Sequence, residues 1–382
     1  MYKLEKNECT ALKTDINSFP VILSYASIPL RKDSKGFSDD GRRYTINAGG
    51  VDLELIAGSK IYPIPTGKIG RSVFAYIASK VVKQEFRRIV KNYFSSEQEA
   101  LKRIEQIQFS LRSLTEITKE ILNLDRTPSN RERNQVYEQL CGVLNLGIVY
   151  TPIPNLNYYD FPNERFFLTK QFNISKLKNG NNYIIFTCDG FKFFFRYVVP
   201  IVYKDYIELN SIEQDLYVYL IRKTRFPEKL EPTKSTIESL RKEIKVNHIV
   251  KQIFNCNFAD KHYKDNEDKL HNAYKNIIQK FPDFFWGAMW NEIRHTLMIL
   301  PNKNDPAHIE GQKQILIDNR FKASLILQQT KKRKQRRKDI LHAAFINWKS
   351  FKKHTKSSPT AVELWMLAQL REAGRCMWQE IY

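Results

Sequence analysis

The chain has 382 residues, of which 42% are hydrophobic and 13% aromatic, so it can form packed cores in two or three domains and is not intrinsically disordered. Its 62 Lys and Arg residues outnumber 41 Asp and Glu residues and leave a formal net charge of +21, which indicates a polyanionic partner. We expect a cytoplasmic protein without a membrane span, a signal peptide, or a zinc or disulfide framework. No apolar run reaches the roughly 18 residues of a spanning helix, the start lacks a signal pattern, and the five cysteines include no CxxC pair.

The first third of the chain predicts an arm, a hairpin and a long helix. Residues 1–20 form a polar N-terminal arm, residues 20–30 are strand-like, and the alternating run at 42–56 predicts a β-hairpin with Gly49 and Gly50 in or near its turn. An amphipathic helix follows at residues 69–94, and a short helix at 97–109.

The segment GKIGR, residues 67–71, precedes the long helix and has two interpretations. It can bind phosphate at a helix N-terminus, or it can be a plain glycine turn. It is not a Walker A motif, which needs four residues between its glycines followed by Lys and then Ser or Thr.

A pair of capped helices lies in the middle of the sequence. Ser113 with Glu116, and Ser129 with Glu132, match the pattern in which each side chain hydrogen-bonds the other residue's backbone N–H. Pro128 separates the two helices, and a strand at residues 148–150 follows the second. Helical spacing predicts a buried apolar face and, opposite it, a polar face that comprises Arg131, Asn134, Gln135, Glu138 and Asn145.

This polar face also has two interpretations. Arg, Asn and Gln near the N-terminus of the second helix of such a pair can read base edges in the major groove of DNA. Most capped helix pairs, however, are core elements whose outer faces are only solvated. Arg133 falls close to the buried side, where it can reach a phosphate or pack its aliphatic part.

Strands, a turn and further helices are predicted in the second half. Residues 165–172 can return as the far strand of a wing, residues 188–190 form a turn, and residues 192–203 form a strand. Capping patterns at 211–214 and 235–238 predict two helices, the second of which carries Ile244. A third helix is predicted at residues 264–281, followed by a hairpin around 291–292.

Three helices followed by a β-hairpin make a winged helix, and two such units fit the length and the short loops. We therefore predict an α+β fold with two tandem winged-helix domains, each a helix-turn-helix plus a β-hairpin wing. The first domain, with the N-terminal β-hairpin, covers residues 21–170, and the second covers 171–302. Residues 303–382 form a basic helical C-terminal extension.

The second unit and the extension carry further candidate contacts. The outward face of the helix at 264–281 combines carboxylates, which disfavour DNA, with lysines and asparagines, which favour it: Asp265, Asp268, Lys269, Asn272, Lys275, Asn276 and Gln279. Residues 331–338, KKRKQRRK, are basic at seven of eight positions. Such a run favours phosphate binding without sequence preference over a solvated helix face.

Motifs of common enzymes do not occur in the sequence. The seven histidines form no His-x-His pair, and there is no HExxH, GxSxG or Gly-rich dinucleotide fingerprint. Tyr158 and Tyr159 lie in a loop without a metal site, where tyrosines usually serve packing. We expect no catalysis, no cofactor and no metal.

Six segments, in this order along the chain, resemble the RepA-type plasmid replication initiators, the family named for its C-terminal initiator region. The fifth, with the pattern Ser-x-x-x-Asp-Leu-Tyr-x-x-Leu, is the most specific. The segments are IPL at 28–30, RRYTINAGG at 42–50, PTGKIGR at 65–71, NRERNQVYEQLCGVLN at 130–145, LNSIEQDLYVYLIRKTRF at 209–226 and HYKDNEDKLHNAYKNIIQKFPDF at 262–284.

The resemblance implies two winged-helix domains that bind repeated origin sequences in double-stranded DNA, open the duplex nearby and recruit host replication proteins. Such initiators are bacterial and plasmid-associated, often repress their own promoter and can form homodimers.

On this basis we expect base reading by the first unit, a second groove contact about one helical turn away, and phosphate contacts around both. The residues expected to contact DNA are Arg126, Asn130, Arg131, Arg133, Asn134, Gln135, Lys264, Lys269, Asn272, Lys275, Asn276, Lys331, Lys332, Arg333, Lys334, Arg336, Arg337 and Lys338.

Three other functions remain open. A sequence-specific transcriptional repressor on the same fold would bind the duplex without opening it. A rolling-circle nicking enzyme would form a covalent adduct with DNA, and a nucleoid-type structural binder would show no sequence preference.

Overall fold

The computed structural model describes residues 16–20, 22–24, 27–48, 51–151, 165–177, 180–195, 198–224, 239–282 and 288–300. The chain divides into two compact units, Met1–Gln312 and Lys313–Tyr382, and all the described residues belong to the first. Several predictions lie outside the described residues: most of the arm, the Gly49–Gly50 turn, the Tyr158–Tyr159 loop, the capping pattern at 235–238 and the basic run at 331–338.

The described chain is a mixed α+β fold built from short antiparallel sheets and helices. Its strands are β1 (Ile16–Pro20), β2 (Arg43–Ala48), β3 (Val51–Ala57), β4 (Phe109–Ser110), β5 (Leu146–Tyr150), β6 (Arg165–Phe167), β7 (Thr169–Asn173), β8 (Tyr183–Phe186), β9 (Val198–Val202), β10 (Lys242–Lys245), β11 (Ala288–Asn291) and β12 (Thr296–Ile299). Its helices are α1 (Gly67–Tyr76), α2 (Phe86–Tyr93), α3 (Glu97–Lys102), α4 (Leu114–Ile121), α5 (Asn130–Leu144), α6 (Cys188–Phe195), α7 (Tyr203–Glu208), α8 (Ser211–Thr224), α9 (Val246–Phe254) and α10 (Tyr263–Lys280).

Antiparallel strand pairs occur at the three predicted hairpins, but the strand predicted at residues 165–172 is divided between two sheets, because Arg165–Phe167 pairs with β5 and Thr169–Asn173 pairs with β8. β2 pairs with β3, β5 with β6, and β11 with β12, each in antiparallel register. The β5–β6 hairpin does not stand alone, because β5 also pairs with β3 and the four strands form one sheet in the order β2-β3-β5-β6. The predicted long helix is also present, as α1 and α2 joined by a π-helical segment, Ile77–Glu85.

A six-element order occurs twice along the chain. In the first half, from β2 to β8, the helix ending in α2 is followed by the short helix α3 and then by β4, α4, α5, β7 and β8. In the second half, from β9 to β12, the described residues give α8 followed by β10, α9, α10, β11 and β12. Both sheets place the last strand between the other two, in the orders β4-β8-β7 and β10-β12-β11. In the first half, β5 and β6 come between α5 and β7, and they belong to the four-stranded sheet with β2 and β3.

Two predictions around residue 190 are wrong: the turn at residues 188–190, and the start of the strand at residues 192–203. Cys188 begins α6 instead, and the Thr187 hydroxyl accepts a hydrogen bond from the backbone N–H of Gly190 at 2.9 Å. Phe191, Phe193 and Phe194 are buried in the core. A continuous apolar run has no clear period, so its sequence cannot separate a buried helix from a buried strand.

Four further predictions differ from the structure at element ends. The strand-like run at 20–30 contains the end of β1 and a 3₁₀ turn, and the helix predicted at 97–109 ends at Lys102. Asn210 caps α8 with Glu213, one residue earlier than the predicted Ser211 with Gln214. Ile244 lies in β10 rather than in a helix.

A buried ion pair joins the two halves. The guanidinium of Arg71 on α1 donates from Nε to Oδ1 of Asp215 on α8 at 2.7 Å and from Nη2 to Oδ2 at 2.5 Å. Its remaining donors reach the carbonyl oxygens of Gly67 at 3.0 Å and Ile28 at 2.6 Å. The side chain of Arg71 is 0% exposed and that of Asp215 is 5% exposed. Burial raises the pKa of Asp215, and the adjacent guanidinium acts against that rise.

Further contacts connect the halves, among them a strand pairing and the hydrogen bonds of Glu208. β1 pairs with β9 along five residue pairs, from Ile16 with Val202 to Pro20 with Val198. Glu208, at the end of α7, accepts hydrogen bonds from Lys280 at 2.6 Å, from Asn123 at 3.4 Å and, through its backbone carbonyl, from Lys68 at 3.2 Å. The two halves therefore share one core within the described residues.

We predict that Arg71→Met destabilises the chain by about 3–5 kcal/mol, because the buried carboxylate of Asp215 would lose its counter-charge. The double variant Arg71→Met with Asp215→Leu removes both charges and should be more stable than the single variant. It should not recover fully, because the carbonyls of Gly67 and Ile28 lose their donors. Urea denaturation measures the three free energies of unfolding. A loss below about 1 kcal/mol for Arg71→Met would contradict this account.

Candidate nucleic-acid interface

The N-terminus of α5 is defined by its predicted capping box. The Ser129 hydroxyl accepts a hydrogen bond from the backbone N–H of Glu132 at 3.3 Å, and the Glu132 carboxylate accepts one from the backbone N–H of Ser129 at 2.7 Å. The box fixes where the helix starts, and hence which residues of its first two turns face outward.

The predicted outer face of α5 is exposed. Val136, Leu140, Val143 and Leu144 are buried, whereas the opposite side presents Arg131, Asn134, Gln135 and Glu138 to solvent. The side chains of Arg131, Asn134 and Gln135 make no hydrogen bond to another described residue, so their donors and acceptors are available to a ligand. Asn145 differs from the prediction: it is half-buried, and its carbonyl accepts a hydrogen bond from the backbone N–H of Gly58 at 2.9 Å.

Two arginines near this face are held by neighbours. Arg126 donates from both terminal nitrogens to the carboxylate of Glu132, at 2.6 and 2.9 Å. Arg133 donates to the side-chain oxygen of Asn130 and is only partly exposed. Neither pairing is visible in the sequence. Arg126 can reach a phosphate only by sharing its charge with Glu132 or by releasing it.

α5 is anchored on the opposite side by close backbone contacts. A Cβ at Gly142 would lie 2.5 Å from the carbonyl oxygen of Pro63, so glycine is needed for this approach. The side-chain oxygen of Gln139 accepts a hydrogen bond from the backbone N–H of Thr66 at 2.8 Å. The outer face of α5 is therefore presented by a helix whose inner face is fixed.

The β7–β8 hairpin lies beside α5, and sequence reasoning missed it as a candidate contact. The ammonium group of Lys176, in the loop after β7, lies 4.5 Å from the ring centroid of Tyr137 on α5. Tyr62 stands between the two elements, 6.4 Å from the rings of both Tyr137 and Phe172. The signal was present in the sequence as KLKNGNN, residues 176–182, a basic stretch followed by turn residues.

The predicted outer face of α10 is also exposed. Leu270, Ala273 and Ile277 are buried, and the opposite side presents Lys264, Asp265, Asp268, Lys269, Asn272, Lys275, Asn276 and Gln279. Asn276 is partly engaged, because its amide donates to Glu213 on α8 at 2.8 Å. The two carboxylates remain on the surface among the lysines, as the sequence indicated.

The turn between β11 and β12 was predicted only as a hairpin, yet it is prominent. Ile293 at its tip is 94% exposed, and Arg294 beside it donates its backbone N–H to the side-chain oxygen of Asn291 at 3.0 Å. The turn therefore presents an apolar side chain and a cation next to α10.

The glycine segment before α1 has the conformation of a turn. Gly67 has φ of 63°, which favours glycine. Arg71 is occupied by Asp215, and Lys68 donates to the carbonyl of Glu208. The cations that would hold a phosphate here are thus committed to protein groups.

The described part of the chain contains no group of three or more His, Cys, Asp or Glu that could hold a metal ion. Cys141 and Cys256 are buried, and Cys188 is exposed. Among the described helices, none combines the length and apolar character needed to cross a bilayer. The predicted contacts at 331–338 lie outside the described residues.

Comparison with protein-family models, with curated proteins and with solved structures found no match to this chain.

The carboxyl group of Glu132 should titrate near pH 2, well below its ordinary value of 4.5, chiefly because of its hydrogen bonds to Arg126 and then those to Ser129. Its contribution to stability is therefore present above about pH 4.5 and is lost as the pH falls through about 2. An NMR titration of the side-chain carboxyl carbons measures this. Arg126→Gln should raise the midpoint, and a wild-type midpoint at or above 4 would show that the box is not formed in solution.

Proposed function

We propose that this protein binds specific sequences in double-stranded DNA through two winged-helix units and acts as a plasmid replication initiator. In each unit, one helix and the adjacent hairpin address the duplex: α5 with β7–β8, and α10 with β11–β12. The proposal places the protein in the bacterial cytoplasm on plasmid DNA.

The repeated topology supports two winged-helix units. A winged helix needs a helix, a strand, two further helices and a two-stranded wing. The described residues of both halves contain these elements in this order with the same strand arrangement, and the first half has α3, β5 and β6 in addition. The wing of the first unit is then β7–β8 rather than the expected β5–β6, because β7–β8 pairs with β4 in the way that β11–β12 pairs with β10.

The outer face of α5 carries the proposal of sequence reading. Arg131, Asn134 and Gln135 are exposed near the N-terminus of a rigidly packed helix. Arginine can bond in a bidentate manner to guanine, and asparagine or glutamine to adenine. The net charge of +21 supplies the general attraction to phosphates.

The initiator role rests on the resemblance, and the packing supports treating the matched segments together. Ile28, Gly67, Arg71 and Asp215 come from three of the six segments, and they meet at the buried ion pair. Segments that meet in one buried cluster are constrained jointly, as expected if the whole pattern specifies one fold. Host replication proteins are the further partners that this role implies, and such initiators can also form homodimers.

We expect Arg131→Ala to weaken binding of a preferred duplex by ~1–3 kcal/mol, with the loss concentrated at one base position. The preferred duplex comes from selection on a randomised pool, and affinities are measured for it and for each single-base variant. Lys204→Ala, which removes an exposed lysine from α7, is the matched control and should change all duplexes slightly and equally. Equal losses for Arg131→Ala on preferred and random DNA would refute base reading by this residue.

The initiator role predicts that the bound protein opens A·T-rich DNA next to its sites. Permanganate reactivity of thymines on a supercoiled plasmid that carries the selected repeats measures this opening. Binding without new reactivity, together with repression of an adjacent promoter, would favour a repressor. A covalent protein–DNA adduct would indicate a nicking enzyme.

A further inference from the structure

Two histidine–carboxylate pairs join α10 to the turn between β11 and β12. Nδ1 of His295, in the turn, lies 2.8 Å from Oε1 of Glu267 on α10. Nε2 of His271 on α10 lies 3.7 Å from Oε1 of Glu292 in the turn. One pair has its histidine on the hairpin and the other has it on the helix, so the turn is braced from both sides.

The strands below the turn are held by contacts of a different kind. The rings of His271 and Trp290 stack at 4.8 Å with an interplanar angle of 21°. The Tyr274 hydroxyl donates to the carbonyl of Ala288 at 2.9 Å and accepts from the backbone N–H of Trp290 at 3.3 Å. The contacts of Tyr274 fix the hairpin base against α10, and His271 links that base to the turn because it both stacks on Trp290 and faces Glu292.

The turn is conformationally demanding at His295. This residue has φ of 47°, in the left-handed region that a non-glycine residue adopts only at a cost. Its carbonyl accepts a hydrogen bond from the backbone N–H of Val246 at 2.9 Å, and its ring contacts Glu267. The side chain of His295 is 68% exposed and that of Glu267 is 16% exposed, so the ring can exchange protons with solvent while its partner stays in place.

We propose that these pairs are positioning groups that make duplex binding by the second winged-helix unit depend on pH between about 5.5 and 8. This inference rests on the proposed function. Protonation converts each contact into an imidazolium–carboxylate ion pair, which holds the turn with Ile293 and Arg294 against α10. A turn held in place loses less conformational freedom when it meets DNA, so affinity rises as the pH falls.

Other charged groups surround the junction. Lys264 and Asp268 flank Glu267 on the surface of α10, and Arg294 precedes His295 in the turn. From β10, Glu243 accepts a hydrogen bond from the Thr296 hydroxyl at 2.8 Å, and Lys245 lies opposite Thr296 in the sheet register. Lysine, arginine and carboxylate groups ordinarily keep their charge between pH 5.5 and 8.

A direct contact between protonated histidine and DNA phosphate would also raise affinity at low pH, and one variant separates the two explanations. If the two pairs hold the turn, Glu267→Gln removes the carboxylate that binds the protonated imidazole of His295, so the pH dependence of DNA affinity falls. In a direct phosphate contact, Glu267→Gln removes a competing carboxylate, so the pH dependence stays or grows.

The test measures dissociation constants of the full chain for the selected duplex at pH 8 and pH 5.5 and constant ionic strength. We expect the wild type to bind about three- to fivefold tighter at pH 5.5, a change of the size that exposed ion pairs provide. Glu267→Gln and His295→Gln should each lose about half of this gain or more, and Glu292→Gln should also reduce it. His248→Gln, which replaces an exposed histidine on α9, should keep it. If Glu267→Gln kept the full gain in affinity at pH 5.5, the proposal that the pairs hold the turn would be overturned.

A measurement without DNA keeps this test separate from the proposed function. Amide hydrogen exchange, corrected for the intrinsic effect of pH, should show greater protection of residues 291–296 at pH 5.5 in the wild type but not in Glu267→Gln. If the wild type showed the same protection at both pH values, the proposal that the pairs hold the turn would be overturned, whatever the affinities for DNA. A change in protection without any duplex binding would instead overturn the proposed function.

Discussion

The ion pair between Arg71 and Asp215 determines how the two halves of the described chain are placed. α5 packs on α1, α10 packs on α8, and the pair joins α1 to α8. Separating the halves would part the two charges of this pair, whereas the hydrogen bonds from Arg71 to the carbonyls of Gly67 and Ile28 lie within the first half. The β1–β9 pairing and the contacts of Glu208 add to the same connection. The outer faces of α5 and α10 are therefore expected to move together, as two parts of one binding body.

Local capping patterns in the sequence predicted where α4 and α5 start. Elements that depend on contacts between distant residues could not be predicted in this way. The capping boxes at Ser113 and Ser129 are local, and the structure has both. At α8, two overlapping patterns competed, and Asn210 caps the helix in place of Ser211. β4 has only two residues and is defined by its pairing with β8, more than 70 residues later. The Arg71–Asp215 pair spans 144 residues, and spacing along the chain carries no trace of such a contact.

At the candidate interface, the sequence predicted which side chains are exposed but not which of them pair with each other. Helical spacing alone predicted which residues of α5 and α10 are exposed, apart from the half-buried Asn145, because the apolar faces of these helices are clear. It could not predict that Glu132 holds Arg126 or that Glu213 holds Asn276. These pairings lower the number of free contacts and concentrate the proposed base reading on Arg131, Asn134 and Gln135. The hairpins beside each helix became candidates only when the sheet order placed β7–β8 and β11–β12 in equivalent positions.

The most direct test of two coupled units is a hydroxyl-radical footprint of the protein on a duplex selected from a randomised pool. If α5 and α10 address one duplex as parts of one body, two protected segments should lie on the same face of the DNA, about one helical turn apart. Inserting half a turn, about five base pairs, between them should then weaken binding strongly. A single protected segment, or affinity that the insertion leaves unchanged, would contradict the account. Equal affinity for selected and random duplexes would contradict sequence reading altogether.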